Sequence, residues 1–513
     1  MDFIAGRWAD PAHADGALEN RSPADLSAVL SVHPWSVAQV ERAVAAAREA
    51  QRGWANLPLG NRLALVRAAG AALKKHQDDL ARAIALDIGK PLWDARAEVA
   101  AAVNKASVTA DEGMALVAGF GAAAGHNRQH GEGGLPGWAG SVAEAAQVEC
   151  RFKPLGVLAV FGPFNFPVHL PNGHILPALA CGNAVVFKPS EVAPHAAEVY
   201  VRCLEEAGIP PGVLNLIAGG PEVGRALSVH AGVNGVLFTG SYAVGQAIAR
   251  ATQGQSKMVA LELGGKNAAL VLADADEDKA VYDALFSAFA SAGQRCTAAS
   301  RLIVEGPAAR ADHFADRLAK LASRLQIGHP LDDGIFMGPL ASEGALQKFE
   351  AGMAQARAEG VGEVLAARRL EPRGLRGCYT TPAVHRVRGN TGSAYEREEL
   401  FGPDVAVYSV GSLEEAVALA NDTDYGLAAS VHTASEAAFE SCAARLDAGC
   451  INWNAPTVGA SGRLPFGGTR RSGNFRPAGL FSTLYCTVPV ALLRGEGKLN
   501  LKALAPGVAW DGA

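Results

Sequence analysis

The chain has 513 residues, enough for two to four domains at the usual size of about 150 residues each. Its 46 Lys and Arg against 51 Asp and Glu leave a net charge of −5, which argues against a nucleic-acid binder with a basic face. Glycine, at 58 residues, exceeds its average share of about 7% without any period, so the excess belongs to tight turns and close backbone approaches in a globular fold.

The N-terminal MDFIAGRWAD has no basic start followed by an apolar run, so no export signal is expected. From Ser36 to about Val117 apolar residues recur every three or four positions, which predicts helices, with Gly89 and Pro91 punctuating one helix end. Residues 118 to 141, rich in Gly, Ala and His, are expected to be loop. There His126 and His130 are spaced i, i+4, but the glycine-rich context makes a poor metal-binding helix. QVECRFK (147–153) reads as a strand. From Gly156 the short apolar runs VLAVF, AVVFK, VLNLI and GVLF alternate with helical stretches, which predicts a parallel sheet with right-handed crossovers. A second alternation runs from AALVL (268–272) through a helix at about Asp276–Ala292 to RLIVEG, VAVYSV (405–410), LEEAVALAND and CINWN (450–454). The basic cluster Arg368, Arg369, Arg373 and Arg376 lacks an aromatic platform and reads as solvated loop. FSTLYCTVPVALL, from Phe481, looks like a lone strand needing a partner.

The most apolar region, Leu155 to Lys188, is interrupted by Pro163, Pro167, Pro171 and Pro177, so no membrane span is expected. Eight scattered cysteines without a C-x-x-C pair read as reduced thiols in a cytoplasmic protein with no metal site.

Five segments could carry chemistry. In FTGSYAVGQAIA, Gly240 and Ser241 turn the chain after a strand and Gly245 opens a helix, a setting that offers backbone N–H groups to a pyrophosphate. A plain βα turn fits equally well. In FKPSE, Lys188 and Glu191 stand at a strand's carboxyl end and could hold ribose hydroxyls, although a solvated strand end is the simpler account. LELGGK places Glu262 in an apolar strand, where burial raises a carboxyl pKa and suits a general base; a structural ion pair competes. SAFASAGQRCTAAS sets Cys296 beside Arg295 after Gly293, as a nucleophile or as core. GPFNFP offers the Asn165 amide to an oxyanion, or braces a loop.

Taken in order, PFNFP, FKPSE, FTGS-x-x-x-G, LELGGK, GQRC, EELFGP (398–403) and PFGG (465–468) resemble the aldehyde dehydrogenase superfamily over essentially the whole chain. The resemblance implies an α/β fold with a Rossmann-type NAD-binding domain (1–131 and 151–261), an α/β catalytic domain (262–479) and a small β arm for oligomerisation (132–150 and 480–495). It implies a homodimer or homotetramer, with the arm adding strands across the subunit interface. Cys296 would be the nucleophile, Asn165 and the Cys296 N–H the oxyanion donors, and Glu262 the base that activates water. NAD would contact Lys188, Glu191, Gly240, Ser241, Gly245, Glu399 and Phe401, with Glu191 disfavouring NADP by repelling a 2′-phosphate.

GPFNFPVHLPNGHILPALACGN, GKPLWDARAEVAAAVNK, INWNAPTVGAS and SGNFRP further resemble the subgroup that oxidises N-succinylglutamate 5-semialdehyde in arginine catabolism. The chain departs from it at Phe164, Val168, Lys266 and Phe475, around the expected aldehyde tunnel. The alternatives are other semialdehydes or broad aldehydes with NAD or NADP, then a cysteine esterase or acyltransferase without redox chemistry. A non-catalytic binding protein on the same fold is a further alternative. A substrate with two carboxylates needs cationic or hydroxyl contacts, for which Arg295, Thr457, Ser461 and Arg476 are candidates, with His169 and His174 behind them.

Overall fold

The computed structural model describes residues 1–123, 147–389 and 391–494, with residue 504 and residues 507–511. His126, His130 and most of the 132–150 segment lie outside the described residues.

Helical periodicity in the first part of the chain produces α1 (Ala38–Asn56), α2 (Leu59–Lys75), α3 (Gln77–Ile88) and α4 (Leu92–Val108). In α1 the apolar positions Val40, Ala43, Val44, Ala47 and Trp54 are buried, a stripe at three- and four-residue spacing. α3 stops at Gly89, whose φ of +75° is left-handed, and Pro91 precedes α4.

The first large sheet runs in the order Met258–Glu262, Gly235–Thr239, Val157–Phe161, Ala184–Lys188, Leu214–Leu216, Asp2–Ile4, Arg7–Ala9. Its first five strands are parallel, and the two N-terminal ones pair antiparallel at the edge. The central strands are buried along their whole length, as expected where helices cover both faces. Val157–Phe161 lies between strands that follow it in opposite directions through the sheet, so a crevice opens beyond the carboxyl ends at Phe161, Lys188 and Thr239.

The short Leu263–Lys266 link carries the chain from the carboxyl end of this sheet to the amino end of the second. That sheet is ordered Gly362–Leu365, Ala383–Val387, Asp404–Val410, Ala299–Glu305, Asn267–Val271, Ala428–His432, Cys450–Trp453, and only its first strand is antiparallel. Segments entering it at Ala299, Asp404 and Cys450 therefore converge on the crevice of the first sheet. The 472–474 segment returns to that edge, where Leu263 N–H donates to Ser472 O at 3.0 Å and Asn474 Oδ1 accepts from Leu261 N–H at 2.9 Å.

A third sheet pairs Thr487–Arg494 with Gln147–Pro154 and that strand with Phe120–Ala123, all antiparallel. Two details differ from expectation here, the start of the C-terminal strand and the state of Phe120–Ala123. The C-terminal strand finds its partner within its own chain, along the whole of Gln147–Pro154, and begins only after a helical turn at Ser482–Tyr485. Phe120–Ala123 is strand and not loop, because the edge of Gln147–Pro154 gives its small residues a hydrogen-bonding template. Likewise the helix after Gly240 starts at Tyr242, so Gly245 lies within its first turn.

Candidate active site

Glu262 ends its strand at the first sheet's carboxyl edge, and Gly240 N–H donates to its backbone carbonyl at 3.0 Å. Its side chain is 4% exposed. Oε1 accepts the Ala478 N–H at 3.1 Å, while Oε2 is enclosed without a hydrogen-bond partner among the described residues. Burial raises this carboxyl well above its ordinary range, and the single N–H bond offsets little of that. Burial therefore favours the protonated form of this carboxyl, and among the described residues no group bonds to its Oε2.

Cys296 follows a tight left-handed stretch in which Ser291, Ala292 and Gly293 have φ of 54°, 55° and 67°. Such conformations cost a non-glycine residue about 1–2 kcal/mol each, and a buried clamp holds them. Asp94 of α4 accepts the Ser291 hydroxyl at 2.5 Å and the Arg295 guanidinium at 2.8 Å. Gly293 passes so close to the Gly402 carbonyl that any Cβ would overlap it. Asn267, at the start of the next strand, donates to the carbonyls of Cys296 at 2.8 Å and Ala298 at 2.9 Å. Its oxygen accepts from Ala428 N–H at 2.9 Å. Among the described residues, no backbone carbonyl takes the Cys296 N–H. The thiol is pushed up to about 12, first by burial, then by the carboxylates of Glu399 and Glu262. Thr297 N–H, directed at the sulfur, opposes this.

Asn165 follows the central strand and donates its side-chain amide to Gln294 O at 2.9 Å, which ties it to the nucleophile's loop. Gln294 is held in turn, its side-chain oxygen accepting from Ala341 N–H at 3.0 Å. On the other side Glu399 lies across the Gly264–Gly265 pair: Gly265 N–H donates to its Oε1 at 3.0 Å, and a Cβ on Gly264 would occupy the place of the carboxylate. Burial raises Glu399 to about 7. Phe401, at a left-handed φ of 56°, meets Phe164 edge-on with centroids 5.8 Å apart. Lys266 fastens this loop by donating to the carbonyls of Tyr395 and Glu398, both at 2.8 Å.

Ser241 caps the Tyr242–Thr252 helix, accepting from Val244 N–H at 3.4 Å, and Gly245 packs against Leu263 where a side chain would not fit. Lys188 is buried and donates to Pro189 O at 2.7 Å, with the half-exposed Glu191 carboxylate 3.8 Å away. Gly240, Glu262, Cys296, Glu399 and Asn165 thus share one cleft between the sheets.

The substrate candidates fare differently. Arg295 pairs with Asp94 and donates to the Ser291 hydroxyl, and Thr457 Oγ1 donates to Thr297 O at 2.7 Å. Ser461 is exposed and caps Arg463 N–H at 3.2 Å. Arg476 is exposed beside Phe475, which is 82% exposed. His174 is enclosed between Tyr485 OH at 2.7 Å and Thr239 Oγ1 at 3.2 Å. Sequence reasoning missed Asn267, Gln294 and Asp94. The one signal for Asn267 was a polar residue opening an apolar strand; nothing marked the other two.

No described helix is long and apolar enough to cross a membrane. Among the described residues no cluster of His, Cys, Asp or Glu could hold a metal ion.

The chain is 40% identical over 509 residues to the N-succinylglutamate 5-semialdehyde dehydrogenase of Pseudomonas fluorescens, covering 99% of both chains. Its fold matches the crystal structure of a putative aldehyde dehydrogenase from Burkholderia cenocepacia with a TM-score of 0.89 and 32% identity, over 98% of each chain. It also matches betaine aldehyde dehydrogenase from Staphylococcus aureus in complex with NAD+, with a TM-score of 0.88 and 29% identity, over 98% of this chain and 96% of that one. The family model for aldehyde dehydrogenases matches residues 8–488, and the chain belongs to the aldehyde dehydrogenase family, as an enzyme that oxidises aldehydes.

Proposed function

We propose that the chain oxidises N-succinylglutamate 5-semialdehyde to N-succinylglutamate with NAD, through a covalent intermediate on Cys296. The observation that carries the mechanism is the Cys296 thiol and the buried Glu262 carboxyl in one cleft, with Glu262 Oε2 without a hydrogen-bond partner among the described residues. The substrate rests on the likeness to the Pseudomonas fluorescens enzyme along the whole chain.

The cleft fits a nicotinamide dinucleotide. Gly240 and Ser241 lead into a helix N-terminus able to face a pyrophosphate, and Glu399, braced on Gly265, can accept ribose hydroxyls. Lys188 and Glu191 stand at the neighbouring strand end for the adenosine ribose, and the Glu191 carboxylate favours NAD over NADP. When bound, NAD supplies the hydride acceptor.

The Cys296 sulfur, once deprotonated, forms a bond to the aldehyde carbon. The carbonyl oxygen becomes an oxyanion held by the Cys296 N–H and the second hydrogen of the Asn165 amide. Loss of hydride from that carbon leaves a thioester on Cys296. Glu262 then takes a proton from water through its free Oε2, hydroxide adds to the thioester carbon, and the acid leaves as the C–S bond breaks. The Cys296 thiol, pushed up to about 12, and the Glu262 carboxyl, raised by burial, must both give up protons for turnover, so activity should rise with pH.

NADH formation with this semialdehyde and NAD, compared with NADP and a panel of other aldehydes, is the direct test. Preference for an unrelated aldehyde would overturn the substrate, and full turnover by Cys296→Ala would overturn the mechanism.

A further inference from the structure

Helix α5 (His169–Ala180) follows the Asn165 loop and packs on α4: Asn172 Nδ2 donates to Ala102 O at 3.0 Å, and the Val168 and His169 N–H groups donate to Glu98 Oε1 at 3.0 and 3.1 Å. Three features along this junction have no structural account. The first is His169. Among the described residues no group hydrogen-bonds to either of its ring nitrogens, and Nδ1 is fully enclosed. A buried polar atom left unpaired is rare and calls for a partner.

The second is Lys105, one turn beyond Ala102 on the α4 face turned towards α5. It is 5% exposed and donates to Gly479 O at 2.5 Å, but no carboxylate pairs with it among the described residues. The neighbouring cation behaves differently, for Lys90 is matched by Glu98 at 2.5 Å. Burial lowers the Lys105 amine to about 8, and the charge of Lys105 bears on both His169 and His174. A buried ammonium without a counter-charge is costly unless an anion supplies one.

The third is Gly173, one helical turn after His169 on the same face. A Cβ there would meet nothing within 4 Å. Glycine within a helix is unfavourable, and here no packing contact requires it. It leaves open space on the helix face that it shares with His169.

We infer that His169 and Lys105 form an anion subsite for a carboxylate on the aldehyde's acyl arm, with Gly173 giving that arm room. This deepens the proposed activity and rests on it only for the identity of the arm. Arg295 is a poorer candidate, because Asp94 already supplies its counter-charge, and the Thr457 hydroxyl donates to Thr297 O. Glu98 does not repel the anion strongly, since Lys90 and two backbone N–H groups neutralise it.

The test uses a matched pair, 5-oxopentanoate and pentanal, alongside N-succinylglutamate 5-semialdehyde, each with saturating NAD. The parent should favour the carboxylated aldehydes in kcat/KM. His169→Leu and Lys105→Met should each cut that preference by about tenfold or more through KM, with pentanal oxidation and the KM for NAD unchanged. His169→Gln, which keeps a donor, should restore part of it. Gly173→Leu should raise KM for N-succinylglutamate 5-semialdehyde far more than for pentanal, and guards against misfolding of the Lys105 variant. Equal losses on the charged and uncharged aldehydes, or a parent without preference for the carboxylate, would overturn the subsite. A parent that prefers 5-oxopentanoate but ignores N-succinylglutamate 5-semialdehyde would instead overturn the substrate and leave the subsite standing.

Discussion

Asn165 donates its side-chain amide to the backbone carbonyl of Gln294 at 2.9 Å, which fixes the amide plane against the loop that carries Cys296. One amide hydrogen is used in this bond and the other is left to point at a reacting oxygen. Asn165→Ala should therefore lower kcat by about 10²–10³-fold, the usual cost of one oxyanion donor, with the KM for NAD unchanged. Steady-state kinetics decide this, and an effect confined to KM would count against the role.

Glu262→Gln should stop the reaction after acylation. Rapid mixing should show one equivalent of NADH per site followed by slow turnover, because no group then accepts water's proton. A burst absent from the variant, or steady turnover equal to the parent's, would assign the base elsewhere.

The same residue links stability to pH. Its carboxyl is raised in the folded state from an ordinary value of 4.5, so the folded protein binds more protons than the unfolded one above that pH. Its contribution to stability is fully present below the unfolded pKa and is lost as pH rises towards the folded one, by at most about 1.4 kcal/mol per pH unit. Glu262→Gln lacks this loss. Thermal unfolding at pH 5 and pH 8 should show the variant gaining on the parent at the higher pH.

Arg295 and Asp94 form a buried ion pair, 11% and 2% exposed, that clamps the left-handed turn before the nucleophile. Removing one partner leaves a buried charge uncompensated, so Arg295→Leu should destabilise the fold by about 3–5 kcal/mol. Denaturant unfolding measures it. A stable variant with only a raised aldehyde KM would restore Arg295 as a substrate contact.

Gly264→Ala would place a methyl group where the Glu399 carboxylate lies. Displacing that carboxylate should raise the KM for NAD by about tenfold and leave the single-turnover reactivity of Cys296 towards an ester unchanged. Titration of NAD binding by protein fluorescence provides the check.

Much of this protein was legible as local pattern. The parallel strands appeared as short, wholly apolar runs, since strands covered on both faces have no polar side to show. Gly89 and Pro91 marked a helix boundary through their backbone restrictions alone. Cys296, Glu262 and Asn165 stood out because each is a reactive or polar group in a segment whose neighbours are small or apolar.

The sequence by itself marked the candidate residues and the strands, in chain order, that bear them. Only the tertiary structure decided which donors remain free. Arg295 and His169 look alike as candidates in a linear reading, but Asp94 lies 201 positions from Arg295 and accepts from its guanidinium, while among the described residues nothing bonds to Nδ1 of His169. A side chain's availability is set by partners brought together across the fold, and such long-range pairings leave no local trace in the chain.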